Sequence, residues 1–126
     1  MQLFLLASAG GAIGAGLRYL VNEAFAVRGL HAFPWATLTV TVVGCLAMGL
    51  LAGMFAERSH LGPELRVFLT TGILGGFTTF SAFSIDFARL AEGGEAGAAV
   101  AYAVASVVLS IVAVFLGLWM ARTVLA

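Results

Sequence analysis

Charge is the scarcest property of this sequence. Only 10% of its 126 residues are Asp, Glu, Lys or Arg, where a soluble globular domain carries about 25%, so a water-facing globular surface is excluded. Lysine is missing altogether: the six cations are Arg18, Arg28, Arg58, Arg66, Arg89 and Arg122, balanced by six acids. No basic tract remains to attract nucleic acid. A single cysteine, Cys45, rules out an intrachain disulfide and a cysteine metal cluster, and a small packing role is its plainest reading. No span holds a paired carboxylate, and neither His31 nor His60 falls in a helix centre. Nothing here favours an enzyme.

What is present is apolar: 62% of the residues are hydrophobic and the mean hydropathy is +1.10. Four runs are long enough to cross a bilayer, about 1–22 (interrupted only by Arg18), 35–56, 67–85 and 96–121. The expected fold is an all-α membrane protein forming one four-helix transmembrane domain over 1–126, with no residues left for a soluble domain. A secretory leader needs a positive start, but no cation precedes Arg18, and the small-residue run Ala7-Ser8-Ala9 comes too early for cleavage. The first span is expected to stay in the mature protein.

Four spans place Arg58, Arg66 and Arg122 on one side and Arg28 and Arg89 on the other, with Arg18 nearer the second side. Arginine bias orients membrane proteins, and here it gives almost no preference. The chain is therefore expected to insert both ways, two opposed copies pairing about a two-fold axis in the membrane plane.

The chain is organised around Thr70-Thr71-Gly72-Ile73-Leu74-Gly75-Gly76-Phe77-Thr78-Thr79-Phe80-Ser81-Ala82-Phe83-Ser84, too apolar for a loop and too rich in Gly, Thr and Ser for an ordinary core helix. One reading is a transmembrane helix broken at 75–79, since each glycine costs helix stability about 1 kcal/mol and hydroxyls bond locally freed backbone groups. Broken backbone at membrane depth is tolerated only within protein or along a watery cavity. The other reading is a glycine-bearing packing helix.

In the first span, Gly10, Gly14 and Arg18 share a face at four-residue steps, which predicts close backbone approach. Arg18 either snorkels to the interface or faces protein, water or an ion. Pro34 suits the first turn of the second span, with Trp35 as an interfacial anchor; His31 reads as solvated. Thr37 and Thr41 share a face, their hydroxyls bonding back one turn or donating to an anion. Gly49 and Gly53 form a small-xxx-small pair. Beyond 57–66, a solvated connection, Phe77, Phe80 and Phe83 recur every three residues. They are packing residues, or their positive ring edges face an anion. In the last span Tyr102, Ser106 and Ser110 form a polar stripe. With Thr78, Thr79, Ser81 and Ser84 it makes a neutral, hydroxyl-lined path suited to a small anion that must both enter and leave.

Three motifs carry a resemblance that extends over essentially the whole chain: Gly10-Gly11-Ala12-Ile13-Gly14-Ala15-Gly16-Leu17-Arg18-Tyr19, Phe33-Pro34-Trp35-Ala36-Thr37-Leu38, and Gly75-Gly76-Phe77-Thr78-Thr79-Phe80-Ser81-Ala82-Phe83-Ser84. The chain resembles the Fluc (CrcB) fluoride channel family. The resemblance implies an antiparallel dual-topology dimer with two fluoride pathways, exporting fluoride passively from the cytoplasm across the plasma (inner) membrane of a prokaryote. It implies Phe80 and Phe83 as ring-edge contacts to fluoride, Thr79, Ser81, Tyr102 and Ser106 in a polar track, and Arg18 as a vestibule cation. It also implies a structural Na⁺ at the dimer interface, held by the backbone carbonyls of Gly75 and Thr78. The sequence departs from the family where Ala36 replaces a glycine and where Thr41 replaces a pore-lining asparagine. Thr41 has one hydroxyl for two amide N–H donors, and Thr41→Asn is expected to raise fluoride flux. Two rivals remain: a small dual-topology proton-coupled transporter using Asp86, and a weakly conducting subunit of a heterodimer with a paralogous chain.

Overall fold

In a computed structural model of the protein, residues 1–29, 32–58 and 60–124 are described, the side chain of Glu57 excepted. His31 lies outside the described residues. The regular elements among the described residues are all helical: α1 (Gln2–Val27), α2 (Trp35–Glu57), α3 (Pro63–Val67), a π-helical segment (Phe68–Leu74), α4 (Gly75–Phe77), α5 (Phe80–Glu92) and α6 (Ala96–Val124). Four stretches are long and apolar enough to cross a membrane, the third running from Pro63 to Glu92 through four of these pieces. The helices run past the apolar stretches at several ends.

On α1 and α6 the buried face is made mainly of small residues and the exposed one of large apolar residues. In α1 the buried residues are Gly10 and Gly14, while Phe4, Leu5, Tyr19 and Leu20 are exposed. In α6 the buried face is Ala99, Tyr102, Ser106, Ser110, Ala113, Gly117 and Ala121, recurring at three- and four-residue steps, with Val104, Ile111, Val112 and Phe115 outside. Lipid is as apolar as leucine, so large side chains gain nothing by hiding from it, and helices approach through small residues instead.

Two glycine-lined seams result. A methyl group at Gly10 would lie 2.6 Å from the Phe68 carbonyl oxygen and 2.8 Å from Gly72 Cα. One at Gly14 would strike the Ile73 carbonyl, and one at Gly76 the Gly11 carbonyl. These residues draw α1 against the π-helical segment and α4. Gly49 is pressed likewise on the Val114 carbonyl, and Gly117 on that of Leu46, which locks α2 to α6. After Phe77 the third span changes neighbours: α5 packs mainly on α6 and only slightly on α2.

A tight turn fixes that second contact. At the end of α5, the Gly94 N–H donates to the Ala91 carbonyl (3.4 Å) and the Glu95 N–H to the Leu90 carbonyl (2.9 Å). Gly94 takes φ +80°, a conformation that glycine adopts without steric cost. The short connection returns the chain as α6 directly against α5.

The seams make a sharp mutational contrast. Gly14→Ala drives a methyl into backbone and is expected to destabilise the protein by about 1–3 kcal/mol. Gly16→Ala, with nothing within 4 Å of the new methyl, is expected to be neutral or to stabilise by up to about 1 kcal/mol. Thermal unfolding in detergent measures both, and equal effects would refute the seam.

Candidate functional site

The third span leaves helical geometry at two residues: Thr78 (φ −100°, ψ 149°) and Thr79 (φ −156°, ψ 135°) are extended. Gly75, by contrast, is helical (φ −63°, ψ −38°), and with Gly76 and Phe77 it completes α4. Glycine at 76 serves approach to α1 rather than a bend. The β-branched threonines adopt extended backbone at little cost, and the side chain of Thr78 helps close the end it terminates. Both its N–H (3.0 Å) and its Oγ1 (2.9 Å) donate to the Leu74 carbonyl.

Beyond Leu74 the helical ladder stops, so the carbonyls of α4 lose the amides four residues on. The Gly76 carbonyl is met by Arg18, whose Nε donates across from α1 at 3.4 Å. The sequence's choice between snorkelling and facing protein thus resolves to a half-buried guanidinium on freed backbone. On the far side, α5 starts at Phe80 with no side-chain cap from Thr79. Its first amides lack helical acceptors and carry the positive end of the helix dipole. The Thr79 hydroxyl pairs instead with that of Ser81 (2.9 Å).

A cavity of about 420 Å³ opens at this end. The extended pair lines it together with Phe80 and Phe83 of α5, Thr41 and Cys45 of α2, and Ser106 and Ser110 of α6. The α2 and α6 residues are each one helical turn apart, so two short polar rows face one another. Phe80 is 77% exposed and its ring stands 5.2 Å from that of Phe83. Phe77, on the other side of the extended pair, is absent from this lining; the three-residue spacing of the phenylalanines does not carry a common face through non-helical backbone.

The hydroxyls differ in what they bond. Ser8, Thr41, Thr70, Thr78 and Thr123 each donate to the carbonyl four residues back, the ordinary resolution for a hydroxyl on an apolar helix. Thr41 does so at 2.8 Å to Thr37, which commits its only proton and leaves lone pairs toward the cavity. The Ser106 and Ser110 hydroxyls are buried without a protein partner. An unpaired buried hydroxyl costs about 1–3 kcal/mol, and the protons of these two are not committed to the protein.

Toward one end, Tyr102 is completely buried. Its ring packs edge-on against Phe33 (5.6 Å) and tilted on Phe83 (5.1 Å), and its hydroxyl donates to Asp86 Oδ2 (3.3 Å). Asp86 in turn borders a second cavity of about 480 Å³, with Asn22, Thr37, Arg89 and Glu95 on its wall. Thr37 and Thr41, one turn apart on α2, thus line the 480 Å³ and the 420 Å³ cavity respectively, with Tyr102 beside Phe83 between them. Gly75 borders a separate hollow beside Arg66, Thr70 and Thr71.

The site residues named from sequence are therefore divided. Thr41, Thr78, Thr79, Phe80, Phe83 and Ser106 meet around one cavity. Ser81 meets it only through Thr79 and Tyr102 only through Phe83, while Arg18 on α1 and Gly75, earlier in the third span, lie away from it. Sequence reasoning gave Cys45 only a packing role, although its position one turn from Thr41 was the available signal. Ser110 was visible in the Tyr102–Ser106 stripe.

Comparison with known proteins agrees on one family. The family model described as "CrcB-like protein, Camphor Resistance (CrcB)" matches residues 5–118. A protein of Chelativorans sp. (strain BNC1) named "Fluoride-specific ion channel FluC" is 53% identical over 99% of this chain and 100% of its own length. Proteins of the same name from Rhodospirillum centenum (strain ATCC 51521 / SW) and Rhizobium meliloti (strain 1021) are 50% and 51% identical. They cover 100% and 97% of this chain, and 100% and 98% of their own lengths.

The buried tyrosine separates packing from polarity. Tyr102→Phe keeps the ring stack and is expected to cost about 1 kcal/mol, whereas Tyr102→Ala empties it and is expected to cost about 3–5 kcal/mol. Thermal unfolding in detergent reads both, and equal losses would mean that the Asp86 bond rather than the ring carries the contact.

Proposed function

The chain belongs to the CrcB family, and from that premise we propose that it is a passive fluoride-selective channel rather than an enzyme, releasing fluoride from the cytoplasm through the plasma membrane of a prokaryote. The observation that carries the proposal is the pair of buried, unpartnered serine hydroxyls facing the uncapped start of α5. Together they offer protons and a partial positive potential to a small anion without a full charge. A neutral lining suits passage: a fixed cation would hold a hard anion too long, and an apolar wall would never strip its water.

In this reading fluoride moves between the two cavities past Phe83 and Tyr102. Phe80 and Phe83 turn ring edges toward it, where the aromatic quadrupole is positive. Ser106 and Ser110 donate hydroxyl protons, and Thr79, Ser81 and Tyr102 complete the polar track. Arg18 acts at a distance, its charge held on the Gly76 carbonyl beside the non-helical backbone.

The working unit is an antiparallel dimer of two copies inserted in opposite directions, with the third span as a broken transmembrane helix at its centre. The support is the near-even distribution of arginine and the 77% exposure of Phe80, a ring that a second copy would cover. A structural Na⁺ at the dimer interface belongs to the same reading. Gly75 and Thr78 supply backbone carbonyls where the ladder has ended, and hard oxygen donors suit a hard cation. When bound, such an ion supplies fixed positive charge that neutralises those carbonyls.

A second reading rests on Thr41, whose proton is committed to Thr37. A chain short of donors on α2 would conduct weakly alone and work beside a paralogous subunit.

Fluoride efflux from liposomes holding the purified chain tests these readings, with chloride run in parallel. Fast fluoride-selective efflux is expected, reduced in Phe80→Ile by at least about tenfold, equivalent to about 1.4 kcal/mol on the barrier. Thr41→Asn is expected to raise the rate, and rescue of an otherwise silent chain by that change would favour the subunit reading. Proton uptake driven by a cation and abolished in Asp86→Asn would replace the channel with a transporter. Ser106→Ala should separate stability from function: it removes an unpaired hydroxyl, so stability is expected to hold or rise by about 1 kcal/mol while efflux falls. Unchanged efflux in a folded Ser106→Ala protein would remove the serines from the path.

A further inference from the structure

We propose that Cys45 lines the anion path itself, so that its thiol is a site for covalent closure of the channel by small thiol-directed electrophiles. The inference rests on the channel reading above and adds a residue to it. Cys45 is a free thiol, half-buried, on the wall of the 420 Å³ cavity. It stands one helical turn beyond Thr41 on α2, and Ser106 and Ser110, each more than nine-tenths buried and with an unpartnered hydroxyl, line the same space from α6.

The bonding of α2 gives the thiol its place. The Thr41 proton is spent on the Thr37 carbonyl, and Cys45 is the other side chain with a donor that α2 gives this wall. A thiol is a weak donor and does not hold a small anion tightly, which suits a lining that must release its ion. The same sulfur is a nucleophile once deprotonated, whereas the hydroxyls around it are inert to mild sulfur electrophiles. Methyl methanethiosulfonate is small and neutral enough to enter a narrow path. The Cys45 thiolate attacks its sulfenyl sulfur, an S–S bond forms, methanesulfinate leaves with the electron pair, and the thiol proton passes to water. The added S-methyl group then projects between the α2 and α6 rows and displaces the ion from their donors.

The test uses the purified full-length chain in liposomes, treated with methyl methanethiosulfonate and read by intact mass and by fluoride efflux. The expected result is one adduct per chain, efflux lowered about tenfold or more, and recovery of both mass and efflux on reduction with dithiothreitol. Cys45→Ala and Cys45→Ser are expected to take no adduct and to show the same efflux with and without reagent. Complete adduct formation with unaltered efflux would overturn the inference alone, placing the thiol outside the path. So would failure of the folded protein to react when the denatured chain does. Absence of efflux before any reagent is added would overturn the channel reading and this inference with it.

Discussion

A backbone amide or carbonyl inside an apolar slab has no water to fall back on, and the arrangement of this protein follows from where that constraint is met indirectly. Along most of the chain the helical ladder meets it, and hydroxyls that would compete are turned back to the preceding carbonyl. At Thr78 and Thr79 the ladder is interrupted. Leu74 then accepts two protons from Thr78, Arg18 reaches over from α1 to the Gly76 carbonyl, and α5 begins without a cap. Thr78, Thr79, Ser106 and Ser110 line one cavity beside this interruption.

Such an interruption needs a rigid surround, and the glycine seams supply it. α1 is drawn so close to the π-helical segment and α4 that the first half of the third span has no room to shift. The Gly49–Gly117 seam holds α2 and α6 at the spacing from which Thr41 and Cys45 face Ser106 and Ser110. The extended pair then passes the third span from one helix pair to the other, so the cavity lies where two differently anchored halves meet. Tyr102 ties that junction together, its ring packed on Phe33 and Phe83 and its hydroxyl on Asp86.

Under the proposed reading, a site of this kind recognises its ion by donors and dipoles rather than by charge. The cost of leaving Ser106 and Ser110 without protein partners is borne by the packing around them. Thr41 marks how finely the balance is set: a back-bonded threonine gives its wall of the cavity lone pairs where an amide would give protons, and the neighbouring thiol becomes the group of interest.

Sequence by itself determined the medium, the number of spans and the family, because these depend on composition and on motifs that lie within single stretches. Scarce charge and four apolar runs admit only a membrane bundle, and the Gly75–Ser84 motif is local. It also marked Gly10 and Gly14 as a close-approach face, since helical spacing alone puts them together. What only the tertiary structure decided is which polar group bonds which. Whether Arg18 snorkels or turns inward depends on a carbonyl 58 residues away. Gly75 stays helical while the threonines extend, which the glycine pair in the sequence does not foretell. Thr41, Ser106 and Ser110 look alike in sequence, each a hydroxyl on an apolar helix; the first is satisfied one turn back and the other two are not. That difference is a matter of side-chain rotamer and of what stands opposite, and neither is written in the spacing of residues along the chain.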